Sequence, residues 1–278
     1  MDYGHPVQFG VFITPVAHPE HSLAIAALAD ELGFDLIGLQ DHPYQSRFLD
    51  AWTLLTAMAM RTKRIHVFPD VANLPLRPPA ILAKAAASLD LLTGGRVELG
   101  LGAGGSFEAI KAIGGPMLTR GESVEALEEA IQVIRLMWSG GRGVRFEGKH
   151  YQLAGVHTGP APAHPVGIWL GAYKPRMLSL VGRAADGWVP SLGYAQPADL
   201  LEGNRRIDEA AAAAGRDPRA IRRVLNAAAD VTVELFTSLT VEQGMDTYVI
   251  GGLEDPDALR WFASEVVPAV RDAVARAR

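Results

Sequence analysis

Eight short apolar runs punctuate the chain: FGVFI (9–13), LIGLQ (36–40), IHVF (65–68), VELGLG (97–102), GIWLG (167–171), GWVPS (187–191), RVLNAA (223–228) and YVIGG (248–252). Their hydrophobicity is continuous, not alternating, which is the pattern of strands buried on both faces of a parallel sheet. The seventh run is the faintest, because alanine supplies much of its apolar character. Amphipathic stretches lie between the runs. In 122–138, Val124, Leu127, Ile131, Ile134 and Trp138 recur at three- and four-residue spacing and form one stripe, with Glu122 and Glu125 at the end where a helix dipole favours acid. Residues 78–92 open with two prolines and stop before Gly94-Gly95, as a helix does. Residues 254–278 read as a closing helical segment. Eight strands, each followed by a helix, predict an α/β protein built as a (β/α)8 TIM barrel, a single domain over 1–278. The interval Gly104–Val166 is longer than the rest and predicts an insertion between strands 4 and 5. It holds extra helix, a hairpin turning at Glu147-Gly148-Lys149 and a stiff connector, HTGPAPAHP (157–165).

Composition narrows the function classes. The net charge is −5 with no block of like charge, which argues against nucleic acid or anionic membrane as a partner and leaves a small-molecule substrate. Cysteine is absent, so disulfides, thiolate metal sites and a cysteine nucleophile are excluded. The first residues lack a basic stretch followed by an apolar one, and the expected location is the cytoplasm.

Gly100, Gly102 and Gly105 spell G-x-G-x-x-G after a strand, the fingerprint of a nicotinamide-binding Rossmann turn. The acids at the right distance, Glu122 and Glu125, sit on a helix and not at a strand end. In a barrel the same glycines fall at the carboxyl mouth, where active sites are built. Asp41 and His42 end the second strand and face the same mouth; a histidine there suits proton transfer near neutral pH. Gly171, Ala172, Lys174, Pro175 and Arg176 form a strand, a tight turn and a helix start flanked by cations, an arrangement suited to phosphate. Arg77 is open between an anion contact and a structural ion pair. HPEH (18–21) has a metal-like spacing but reads as an ordinary helix start, and no metal is expected.

VANLPLRPPAILAKAAASLDLLTGGRVELGLGAGG (71–105), LQDH (39–42) and GAYKPRMLSLVGRAADGWVPS (171–191) together resemble the bacterial luciferase-like family of flavin- and deazaflavin-dependent oxidoreductases. The likeness runs from QFGVFI to YVIGG. It implies a TIM barrel and, as cofactor, coenzyme F420, with FMN as the alternative. Asp41-His42 matches an acid–histidine pair near the cofactor ring, which makes His42 the expected proton-handling residue. The family often has a non-prolyl cis peptide beneath the ring; the matching bond is Asp70–Val71, with aspartate where glycine or serine is usual. Gly102, Ala103 and Gly104 match the turn at the ring's polar edge. Glu108 stands where an acid is often found, without the asparagine that often accompanies it. Gly171, Ala172, Tyr173, Lys174, Pro175 and Arg176 match the phosphate turn. Phe12, Tyr44 and Trp52 are candidate walls of a substrate pocket. The implied function is hydride transfer between F420 and a small organic molecule. The rivals are an FMN-dependent monooxygenase, a nicotinamide dehydrogenase and a flavin-binding protein without turnover. Family members are often homodimers.

Overall fold

The computed structural model describes residues 1–278. Eight strand positions follow one another round a ring, all pairing in parallel: Gln8–Ile13, Leu36–Leu39, His66–Pro69, Leu99–Gly102, Ile168–Leu170, Gly187–Trp188, Arg222–Ala228 and Thr247–Gly251. The first strand pairs with both the second and the eighth. The ring closes at the third position, which is made of two pieces. His66–Pro69 pairs with the second strand; after a cis Asp70–Val71 bond, Ala72–Asn73 pairs with the fourth. A Val67–Val97 bridge seals the bottom of that seam. This ring is incompatible with the doubly wound sheet that a Rossmann turn requires.

The glycines of 100–104 have a packing reason instead. A Cβ on Gly100 would collide with the Pro69 carbonyl, and one on Gly102 would lie 2.8 Å from Val71 Cγ2. Gly104, at φ +84°, turns the chain out of the strand. Side-chain-free backbone lets the broken third strand press against the fourth.

The core has two layers. Inside the barrel, Leu36, Phe68, Trp169, Val189, Val224 and Val249 pack together, with Phe12 and Val71 against them. Phe68 and Trp169 meet edge to face at 5.1 Å. A larger apolar cluster fills the space between strands and helices. The helix expected from 122 begins at Arg120, capped by a Thr119–Glu122 box, and runs to Trp138. The closing segment is not one helix: Pro256–Trp261 passes through a π turn at Phe262–Val266 into Val267–Ala277. HPEH opens the helix Pro19–Leu32, with Pro19 in its first turn.

Between the fourth and fifth barrel strands lie the helices Phe107–Ala112 and Arg120–Trp138 and an antiparallel hairpin, Val144–Glu147 with Gln152–Val156. The Glu129 carboxylate, on the long helix, accepts the backbone N–H groups of Lys149, His150 and Tyr151 at 2.8, 2.8 and 3.1 Å. The connector that follows is tied to the base of the barrel. Buried Asp90 accepts from the N–H groups of Ala163 and His164, and the His164 ring bridges Asp90 (2.9 Å) and Glu98 (3.4 Å).

Hydrogen bonds to Glu98, and then to Asp90, outweigh the cost of burial and push His164 up to about 9. Because the folded value exceeds the unfolded 6.5, the stabilisation is fully present below pH 6.5 and is lost as pH rises through about 9. We predict that His164→Ala costs about 1–3 kcal/mol at pH 6 and much less at pH 10. Denaturant melts of both proteins at the two pH values check this; an equal deficit at both would contradict the charged contact.

Candidate functional site

A cavity of about 860 Å³ opens at the carboxyl ends of the strands. That is a common size for a cofactor pocket. It gathers residues from distant parts of the chain. Asp41, His42 and Tyr44 come from the second strand and its loop, Asp70 and Val71 from the break in the third, and Gly102, Ala103 and Gly104 from the end of the fourth. Gly171, Ala172, Tyr173, Lys174 and Arg176 come from the turn after the fifth, and Phe12 from the first.

Three expected residues lie off the cavity. Trp52 sits in the first turn of the helix Ala51–Arg61 and packs into the apolar layer between strands and helices. Glu108 is exposed on the short helix, and its neighbour Phe107 borders the cavity instead. Pro175 occupies the first turn of the helix Pro175–Ala184 with its ring outward, while Lys174 and Arg176 on either side border the space.

Val71 forms the floor. A Cβ on Gly102 would come to 2.8 Å from Val71 Cγ2, so that glycine is needed for Val71 to sit there, and a Cβ on Gly171 would come to 3.2 Å and push it by a few tenths of an ångström. A flat ring laid on Val71 would meet no side chain from either position.

His42 is half-buried, and its Nδ1 shares a 3.1 Å hydrogen bond with the Tyr44 hydroxyl, which leaves Nε2 as the free nitrogen. Burial lowers its pKa against the opposing pull of Asp41, so the ring is neutral at physiological pH and can take up a proton. Asp41 has a different task. Buried Asp41 receives Arg77 Nε and Nη2 at 2.7 and 2.8 Å and the Asn73 N–H at 2.9 Å. Arg77 also donates to Asp50 at 2.6 Å. Arg77 is therefore the structural ion pair of the two roles open to it, and Asp41 fixes the loop that carries His42.

The structure adds residues that the sequence did not point to. Asn226, on the alanine-rich seventh strand, donates from Nδ2 to Asp70 Oδ1 at 3.1 Å and to Ser191 Oγ at 3.3 Å. Both Asn226 and Ser191 border the cavity. So do Arg120, Gly121 and Ser123, from the first turn of the long helix. Arg176 reaches across to that turn, 3.4 Å from the Gly121 carbonyl and 3.4 Å from Glu125. Two helix N-termini and three cations, Arg120, Lys174 and Arg176, thus border one end of the cavity, where backbone N–H groups and positive charge favour an anion.

The donor set fits an elongated ligand with an anionic end. The glycine-lined floor takes a flat ring, and the cationic end takes a phosphate. The buried atoms Asp70 Oδ2, Asn73 Oδ1 and Asn226 Oδ1 have no protein partner, and all three residues border the cavity.

Residues 3–233 match the family model described as luciferase-like monooxygenase. The chain belongs to this family. A 5,10-methylenetetrahydromethanopterin reductase from Archaeoglobus fulgidus is 27% identical over 272 residues, which cover 96% of this chain and 78% of the reductase. An F420-dependent glucose-6-phosphate dehydrogenase from Gordonia bronchialis is 31% identical over 218 residues, 74% of this chain and 63% of the dehydrogenase. Among solved structures, an F420-dependent secondary alcohol dehydrogenase superposes with a TM-score of 0.85 at 21% identity, covering 96% of this chain and 100% of its own. That likeness bears out the luciferase-like barrel fold.

Asp70 carries a pH signature of the site. Burial raises its carboxyl to about 7, against the lowering effect of the Asn226 amide. The native state then keeps a proton that the unfolded chain loses near 3.8, so stability falls as pH rises from about 4 to about 7 and levels off above. Asp70→Asn removes this dependence. We predict that the variant is more stable than the parent at pH 8 by several degrees in Tm and that its advantage shrinks towards pH 4. Parallel Tm–pH curves for the two proteins would show that Asp70 is ionised throughout.

Proposed function

We propose that this luciferase-like protein is an oxidoreductase that transfers a hydride between coenzyme F420 and a small organic molecule. One observation carries the reading: the histidine, the Val71 floor and the cationic turn, far apart in sequence, surround a single cavity shaped for a flat ring with an anionic end. The F420-dependent glucose-6-phosphate dehydrogenase relative, similar over 74% of this chain, supports F420 over FMN.

When bound, F420 supplies or accepts hydride at a ring carbon, which corresponds to the reactive nitrogen of a flavin. The chain provides the rest. The turn at Gly171–Arg176 and the start of the long helix bind phosphate through N–H groups and through Lys174, Arg176 and Arg120. Val71 supports one ring face. His42 is neutral and presents Nε2, so it takes a proton from a hydroxyl that is being oxidised, or returns one to a carbonyl that is being reduced. Tyr44 sets the orientation of the imidazole through Nδ1, and Asp41, locked to Arg77, holds the loop. The proposal extends to a homodimer in the cytoplasm; sedimentation velocity on the purified chain tests the dimer.

Fluorescence titration of the purified protein with F420, and separately with FMN, tests the cofactor. The expected result is saturable F420 binding and at least tenfold weaker FMN binding. Lys174→Ala/Arg176→Ala weakens F420 by about tenfold or more, as loss of charged hydrogen bonds worth about 1.5–3 kcal/mol each implies. FMN binding alone, with oxygen consumption on reduction, would replace this reading with an FMN-dependent monooxygenase. His42→Ala is expected to keep F420 binding and to lower turnover by about a hundredfold. Unchanged turnover would remove His42 from the mechanism.

A further inference from the structure

A second cavity, of about 440 Å³, opens beside the first across the ends of the first, seventh and eighth strands. The two share Phe12, Ser191 and Asn226, which form a common wall. Its remaining lining is mostly small or aliphatic, including Leu192, Ala228, Val231 and Val249. We propose that this second cavity is the substrate subsite and that it takes a small, uncharged, largely apolar alcohol or carbonyl compound, not a phosphorylated sugar. The proposal rests on the cofactor reading only in calling the occupant a substrate; the ligand class follows from the cavity itself.

Charge decides the class. Arg120, Lys174 and Arg176 all border the first cavity, and none borders the second. The only ionisable side chain at the second is Asp230, a carboxylate. A phosphate or carboxylate ligand there would meet no cation and would lie beside a like charge, and is disfavoured. An apolar body gains by leaving water, in proportion to its area.

The common wall supplies the polar anchors, the Ser191 hydroxyl and the unpartnered Asn226 Oδ1. Ser191 Oγ accepts the Asn226 amide at 3.3 Å, so its own hydroxyl hydrogen is free to donate. Asn226 is fixed in turn by Asp70, which faces it from the third strand at 3.1 Å. The Ser191 hydroxyl is thus oriented by Asn226, which buried Asp70 holds, and can donate to the oxygen of an alcohol or ketone. Polar anchors confined to one wall of an apolar space select a ligand with its oxygen function at one end.

Ligand-detected NMR with cyclohexanone as the neutral probe and glucose 6-phosphate as the anionic one tests the assignment, on the protein with and without F420. On the F420-loaded protein, where the cofactor fills the cationic sector, cyclohexanone is expected to bind at least tenfold more tightly than glucose 6-phosphate. Ala228→Phe, at an exposed position that tolerates the larger ring, fills the cavity and weakens cyclohexanone at least tenfold, while F420 titrates as in the parent. Val231→Phe fills it from the opposite end of the same loop and has the same expected effect, with a thermal melt confirming that each variant is folded. Tighter binding of glucose 6-phosphate to the F420-loaded protein, no binding of cyclohexanone, or cyclohexanone binding that neither variant weakens would overturn the proposal. Cyclohexanone binding that both variants abolish, in a protein that fails to bind F420, would overturn the cofactor reading and leave the ligand class standing.

Discussion

The barrel depends on one close approach, that of Val71 to the glycine backbones of the neighbouring strands. The third strand leaves its second-strand partner at Pro69 and joins the fourth at Ala72, and Val71 lies at the crossing. Its side chain fills space that a Cβ on Gly102 or Gly171 would need, and Gly100 admits the Pro69 carbonyl just below. The crossing closes the ring, gives the cavity its floor and turns Asp70 into the barrel interior. A methyl group at these glycines would have to displace backbone or Val71, and interiors packed to crystal density do not yield easily.

A second layer of constraint surrounds that floor. His42 is useful only if its loop is held, and Asp41 holds it by accepting three hydrogen bonds, two of them from Arg77. Arg77 in turn lies just before the helix Pro79–Thr93 and reaches Asp50, the cap of the helix Ala51–Arg61. One guanidinium therefore ties the loops after the second and third strands to each other. Charge-assisted, two-pronged contacts of this kind fix direction as well as distance. Asp41, adjacent to the histidine in sequence, acts on it through the backbone as well as through its charge.

Most of this architecture was legible because it is written in period. Eight continuous apolar runs and the stripes between them require a parallel sheet with helices outside, and the cavity residues expected at strand ends are there because barrel mouths are built from strand ends. What escaped is what period cannot encode. Asn226 is one polar residue in an alanine-rich strand, and only the closing of the ring places it opposite Asp70. Arg120 and Ser123 lie about fifty residues from the phosphate turn and meet it through the packing of two helices. Trp52 shows the converse. An aromatic near a mouth looks like a pocket wall, but one turn of helix rotates it into the apolar layer. The π turn at Phe262–Val266 also left no mark, since its residues are as helical in composition as their flanks.

The same geometry separates two kinds of electrostatics within one mouth. On the side of the fourth and fifth strands, cations and helix N-termini face the cavity. On the side of the seventh and eighth, the lining is aliphatic, with an amide, a hydroxyl and a carboxylate at its edge. The separation originates in the residues at the helix starts. The long helix and the turn after the fifth strand both begin at the mouth, so their exposed N–H groups and neighbouring cations converge in one sector. The helices Val233–Val241 and Pro256–Trp261, after the seventh and eighth strands, also start at the mouth, but Thr232 and Asp255 cap their N–H groups and their first turns carry Glu234 and Asp257 in place of cations. An anion is drawn to the first sector and an apolar body to the second, with Val71, Asp70 and Asn226 between them. The chain that closes the barrel is therefore also the chain that keeps the two environments apart.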